Sequence, residues 1–129
     1  MKFLIIIPAH NEEKNIFFTL TSLVNQTYQN FKIVVVNDGS TDKTQSIVEE
    51  FASDHPKFGI QNLETSEHQP GAKVVRTFDK GLESQNLEEF DIICKFDADI
   101  VFPPNYLDEI NKVYQENPKA GMVSGLVKV

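Results

Sequence analysis

The sequence predicts an α/β fold, a mostly parallel open sheet with helices on both faces. Three observations carry that reading. Short, continuous apolar runs rich in Ile and Val are what strands buried on both faces look like. They alternate with segments whose apolar residues recur at helical spacing. Finally, the unusual polar residues gather just after the strands, on the edge where open α/β sheets bind ligands.

Phe3–Ile7 is the first strand. Its five apolar residues are too few for a signal-peptide core or a membrane span. From Asn11 to about Gln26, Ile16, Leu20, Leu23 and Val24 recur as one helix face. Ile33–Val36 is a second β-branched strand. Thr44, Ile47, Val48 and Phe51 mark a second helix, with Asp42 as N-cap and Gln45 three residues on as a capping-box partner. A weaker third strand lies in Gly59–Leu63. The third helix carries Val74, Val75, Phe78 and Leu82 on one face. Phe90–Phe96 reads as the fourth strand, Asn105–Gln115 as the fourth helix and Gly121–Val127 as a last strand.

Length and composition bound what such a sheet can do. A chain of 129 residues is one domain, 1–129, able to bury roughly two thirds of its unfolded surface. Acids outnumber bases 19 to 12, for a formal charge of -7, and no basic cluster exceeds two residues. This argues against nucleic acid as the main partner, because binding a phosphate backbone needs a Lys/Arg stripe, but not against a nucleotide held through a metal. Cys94 is the single cysteine, so no internal disulfide and no thiolate zinc site can form; a buried, inert thiol in a reducing cytoplasm is the expectation.

Four polar clusters follow four strands. The first is Pro8-Ala9-His10-Asn11-Glu12-Glu13, where Pro8 is expected to stop the sheet and Asn11 and Glu12 also suit a helix N-terminus. The second is Asn37-Asp38-Gly39-Ser40-Thr41-Asp42. Its residue types leave open a turn with a helix cap and a role for Asp38 in accepting a hydrogen bond from a base or ribose. The third is Thr65–Gly71 followed by Lys73, with Lys73 and Arg76 readable as solvated helix residues or as cations facing a phosphate. The fourth, Asp97-Ala98-Asp99, sets two carboxylates at i, i+2 beyond a strand, where they can face one hard divalent cation. His10, His55 and His68 lack metal-ligand spacing; His10 and His68 are at most rim residues.

These residues together resemble family 2 glycosyltransferases. Ile5–Glu13, Val35–Thr44 and Phe96–Asp99 occur in the family's order and at similar separation. The resemblance implies the GT-A fold, an inverting reaction, a nucleotide-diphosphate sugar as donor and Mg²⁺ or Mn²⁺ as cofactor. It implies that Pro8, Ala9 and Glu12 line the nucleotide site and that Asp38 bonds the base, most simply a uracil N–H, favouring a UDP-sugar. Lys73 would lie near the diphosphate. Asp97 would contact ribose or metal-bound water, and Asp99, with Asp97, would hold the metal. Asn37 stands where many members carry an acid, and Val75–Gly81 matches the family's Ala-Arg-Asn-x-Gly only loosely.

The family's acceptor half, catalytic carboxylate and Trp-containing motif have no counterpart here, and the chain contains no Trp. It reads as the donor-binding half of a longer enzyme, cytoplasmic or membrane-associated. The acceptor would be a saccharide or lipid-linked, and the base lies outside these residues. On that reading the fragment turns over little, and an apolar patch near the last strand and fourth helix makes it self-associate. Three other classes share this α/β plan. A receiver domain needs a phosphoacceptor Asp after strand three, and no Asp lies between Asp54 and Asp79. A non-catalytic nucleotide-binding module would carry the same binding residues. A dehydrogenase is disfavoured because no G-x-G-x-x-G follows strand one.

Overall fold

The computed structural model describes residues 1–63, 70–116 and 123–124, with side chains for 1–63 and 77–116. The elements run β1 (Phe3–Ala9), α1 (Ile16–Val24), β2 (Phe31–Asp38), α2 (Thr44–Asp54), β3 (Phe58–Leu63), α3 (Pro70–Glu83), β4 (Ile92–Lys95), α4 (Tyr106–Glu116) and β5 (Val123–Ser124). The strands lie in the order β3-β2-β1-β4-β5, and every neighbouring pair is parallel. The predicted α/β class holds.

Strand alternation builds two cores from one sheet. Phe3, Ile5, Ile7, Ile33, Val35 and Cys94 face α1, α2 and α4, packing with Ile16, Leu20, Val48 and Leu107. Leu4, Ile6, Val34 and Val36 face the other way, onto Phe78 and Leu82 of α3. All five side chains from Phe3 to Ile7 are fully buried, at roughly 1.5–3 kcal/mol of apolar burial each. This is why β1 shows no polar alternation: neither of its faces meets water.

The chain moves outward from β1 to β2 to β3. Helix α3 then carries it back across the sheet to place β4 on the far side of β1. Strand order reverses between β1 and β4, where open α/β sheets leave a crevice at the carboxyl ends. Helix α3 lies close on this crossover. A Cβ on Gly81 would stand 2.7 Å from Ile6 Cγ2 and 2.8 Å from Val36 Cγ2.

Several boundaries differ from expectation. Helix α1 begins at Ile16, not Asn11, because Asn11 adopts φ 52° and cannot start a right-handed helix. Pro8 does not end β1, which pairs with β2 as far as Ala9↔Asn37. On the other side the β4 ladder stops at Ile6↔Lys95, with the Phe96 N–H donating to the Ile6 carbonyl at 3.0 Å. Two residues on, Pro8 turns its missing donor toward this same side, where the ladder has already ended. The capping box is not formed. The N-cap is Lys43 and not Asp42, which lies one residue earlier and accepts from the Thr44 N–H at 2.9 Å, while Gln45 pairs with Glu49.

Helix α3 already includes Pro70 and Gly71, consistent with proline's preference for a first helical position. A 3₁₀ turn at Leu87–Glu89 precedes β4, which covers only Ile92–Lys95 of the predicted Phe90–Phe96. Of the Thr65–Gly71 cluster, residues 65–69, His68 among them, lie outside the described residues. So does most of the predicted last strand. Among the described residues, no helix is long and apolar enough to cross a membrane.

Candidate functional site

A cleft of about 330 Å³ opens at the carboxyl ends of β1, β2 and β4. It is lined by Pro8, Ala9, His10, Glu12, Asp38, Thr77, Lys95, Asp97, Ala98 and Asp99. Six of the seven site residues predicted from sequence (Pro8, Ala9, Glu12, Asp38, Asp97 and Asp99) therefore share one cavity. The seventh, Lys73, falls in the first turns of α3, where side chains are not among those described.

Period-two alternation explains much of the convergence. Leu4, Ile6 and Pro8 share the α3 side of the sheet with Val34, Val36 and Asp38 and with Ile93, Lys95 and Asp97. Asp38 is buried at the tip of β2, and its Oδ2 accepts from the Thr77 hydroxyl of α3 at 3.2 Å. The following residue, Gly39, adopts φ 60°, a left-handed turn that a side chain would strain. Lys95 reaches Asp97 at 3.8 Å, a half-buried pair at the cleft wall.

The loops after β1 and β2 are clasped together. The Asn11 N–H donates to Ser40 Oγ at 3.0 Å, and Asn11 Oδ1 accepts from the Thr41 N–H at 2.8 Å. The Glu12 N–H donates to Thr44 Oγ1 at 2.8 Å. Glu13 and the 42–43 segment bond reciprocally: Glu13 N–H to Asp42 Oδ2 and Lys43 N–H to Glu13 Oε2, each at 3.2 Å. His10 Nδ1 donates to the Asp38 carbonyl at 2.6 Å. A carbonyl only accepts, so the proton sits on Nδ1 and Nε2 is left to accept from Asn11. Asn11's left-handed backbone lets one side chain hold both loops.

Electrostatically the cleft is acidic. Burial pushes the Glu12 carboxyl above its ordinary value, and the charges of Asp99, Asp42 and Asp97 push it further, against a hydrogen bond from Asn15. Its Oε2 is buried with no hydrogen-bond partner among the described residues. Asp42 behaves oppositely. Burial would raise it, but hydrogen bonds from the Thr44 hydroxyl and from the Thr44 and Glu13 N–H groups hold it below the usual carboxylate range. Among the described residues, no three His, Cys, Asp or Glu side chains gather into a self-sufficient metal cage.

Sequence reasoning missed Lys95 and Thr77. The signal for Lys95 was its i, i+2 spacing from Asp97 in a strand. For Thr77 it was the i, i+4 relation to Gly81, whose missing side chain marks the helix face that touches the sheet.

A doubly covered parallel sheet with a carboxylate-lined cleft at its switch point defines an α/β ligand-binding domain of the GT-A kind. The chain belongs to glycosyl transferase family 2, whose model matches residues 4–129. The probable glycosyltransferase YdaM of Bacillus subtilis (strain 168) is 33% identical over 127 residues, 97% of this chain and 29% of the relative. The structure of S. aureus TarS 1–349 in complex with UDP-GlcNAc superposes with TM-score 0.77 at 29% identity, covering 92% of this chain and 32% of that one. The mannosyltransferase PcManGT from Pyrobaculum calidifontis, in complex with GDP-Man and Mn²⁺, gives TM-score 0.63 at 28% identity over 79% of this chain and 28% of that one. The chain thus spans about a third of the length of the proteins it matches.

Proposed function

We propose that this domain binds a nucleotide-diphosphate sugar, in the first instance a UDP-sugar, as donor for an inverting glycosyl transfer. The observation that carries the reading is the convergence of Glu12, Asp38, Asp97 and Asp99 on one cleft at the β1/β4 switch point. Relatives of the same fold bound to UDP-GlcNAc and to GDP-Man support it.

Each residue has a role in this reading. Pro8 and Ala9 form the wall against which the nucleotide lies. Asp38, steadied by Thr77, accepts a hydrogen bond from a base N–H, and Glu12 faces the base or ribose. Lys73, in the first turns of α3, is the cation this reading assigns to the diphosphate. Asp97 and Asp99 supply hard oxygen donors that fit Mg²⁺ or Mn²⁺. Two carboxylates suffice for such an ion when phosphate and water complete its shell. The buried Glu12 Oε2, with no hydrogen-bond partner among the described residues, is a further oxygen acceptor lining the same cleft. When bound, the ion neutralises the negative charge of the departing nucleoside diphosphate.

Among the described residues this reading commits all four cleft carboxylates to the donor side, so the base that takes the acceptor's proton is assigned to none of them. Transfer to a saccharide or lipid-linked acceptor is accordingly not expected from these 129 residues alone.

Calorimetry with UDP, GDP, CDP and dTDP, with and without Mn²⁺, tests the reading on wild type and Asp99→Ala. Mn²⁺-dependent affinity for one diphosphate, lost in the variant, is the expected result. Absence of binding to all four refutes it.

A further inference from the structure

Past Lys95 the chain leaves the sheet, and no strand or helix holds it until Tyr106. The backbone polar groups of this acid-bearing segment must still find partners. Three side chains on one face of α1 and its C-terminal extension supply them, at the i, i+3, i+7 spacing of a helical stripe. The Thr19 hydroxyl donates to the Ala98 carbonyl at 2.9 Å. The Phe102 N–H donates to Ser22 Oγ at 3.0 Å, while the Ser22 hydroxyl donates to the Thr19 carbonyl at 2.7 Å. Gln26 donates from Nε2 to the Pro103 carbonyl at 2.6 Å and accepts the Leu107 N–H of α4 on Oε1 at 2.9 Å. Thr19 is fully buried and Gln26 nearly so, which makes these bonds expensive to lose.

The Ala98 carbonyl belongs to the peptide that joins Ala98 to Asp99. Its orientation sets the direction in which the Asp99 side chain leaves the backbone. Ala98 itself is buried, so the segment is anchored between the two acids while Asp97 and Asp99 face the cleft. We infer that Thr19 is a positioning residue for the Asp97/Asp99 pair, braced by Ser22 and Gln26. It acts through the 98–99 peptide and touches no ligand. The inference rests on the donor-site reading above.

Thr19→Val removes the hydroxyl at nearly constant volume, and Thr19→Ser keeps it. Mn²⁺ binding in the presence of UDP is read by electron paramagnetic resonance, and UDP affinity in EDTA by calorimetry. Thr19→Val should weaken Mn²⁺ binding about tenfold, which corresponds to about 1.4 kcal/mol. Metal-free UDP affinity should stay within about twofold, and Thr19→Ser should restore the wild-type value. A general loosening of the fold would instead weaken both. Unchanged Mn²⁺ affinity in Thr19→Val overturns the inference. If wild type shows no Mn²⁺-dependent UDP binding, the donor-site reading fails, and amide hydrogen exchange decides the positioning role on its own. Exchange faster across 98–102 in Thr19→Val, with β1 unchanged, supports it, and equal protection overturns it. Should Thr19→Val not fold, Ser22→Ala is measured against the same expectations.

Discussion

Gly81→Ala is the sharpest test of how α3 sits on the sheet. In an exposed helix the change would stabilise by about 1 kcal/mol, because alanine has the better helix propensity. Here the new methyl would meet Ile6 Cγ2 at 2.7 Å and Val36 Cγ2 at 2.8 Å. Both belong to β-branched, fully buried side chains with no free rotamer to retreat into. Reaching an ordinary carbon–carbon separation of about 3.5 Å requires α3 to back off by about 0.8 Å. The bond from Thr77 to Asp38, already 3.2 Å long, does not survive such a shift.

Overpacking costs about 1–3 kcal/mol and the lost bond about 1 more, against the 1 kcal/mol propensity gain. A net loss of roughly 1–3 kcal/mol should lower the thermal midpoint by roughly 4–10 °C in circular-dichroism melts. UDP affinity should fall with it, because Asp38 loses its brace. Gly59→Ala is the control. Its Cβ would come no nearer than 3.9 Å to the Ile33 carbonyl, so its midpoint should hold or rise slightly. If Gly81→Ala proves more stable than wild type, α3 is not packed as described and the brace on Asp38 goes with it.

Three further outcomes are expected. Glu12 has a raised proton affinity in the folded state, so its neutral form favours folding below the unfolded value of 4.5, and that contribution is lost as pH rises through the folded pKa. Glu12→Gln should therefore be more stable than wild type at pH 7 in urea titrations, with the gap closing below pH 4.5. A gap that widens on acidification would contradict the assignment. Asn11→Ala removes the acceptor that ties Thr41 and puts alanine at φ 52°, so it should destabilise by about 1–2 kcal/mol. Asn11→Gly should recover part of the loss in the same unfolding assay. Cys94 is fully buried and its thiol is pushed up to about 12, so alkylation by iodoacetamide should be slow in the native protein and become fast only in denaturant. Rapid native labelling would mean β4 opens far more readily than its packing implies.

Much of this site is legible in the sequence. Continuous Ile and Val runs fit strands buried on both faces, and their alternation with amphipathic helices points to a covered parallel sheet, so β1, β2 and the α/β class followed from the residues. Polar clusters after those runs had to fall at strand ends, and that put Glu12, Asp38 and the Asp97/Asp99 pair on one rim. The family relationship was carried by the same three segments. What the residues left open was mostly a matter of contact across the chain. Thr77 meets Asp38 across 39 positions, and Thr19 meets Ala98 across 79. Neither has a local signature, because a buried threonine on a helix reads as ordinary core. The ends of α1 and of the β1–β4 ladder likewise depended on a left-handed Asn11 and on where β4 stops. Local patterning determined which chemical groups this protein carries and the edge they occupy. The packing of α1 and α3 against opposite faces of the sheet decided which of those groups are held still, since that depends on neighbours distant in sequence.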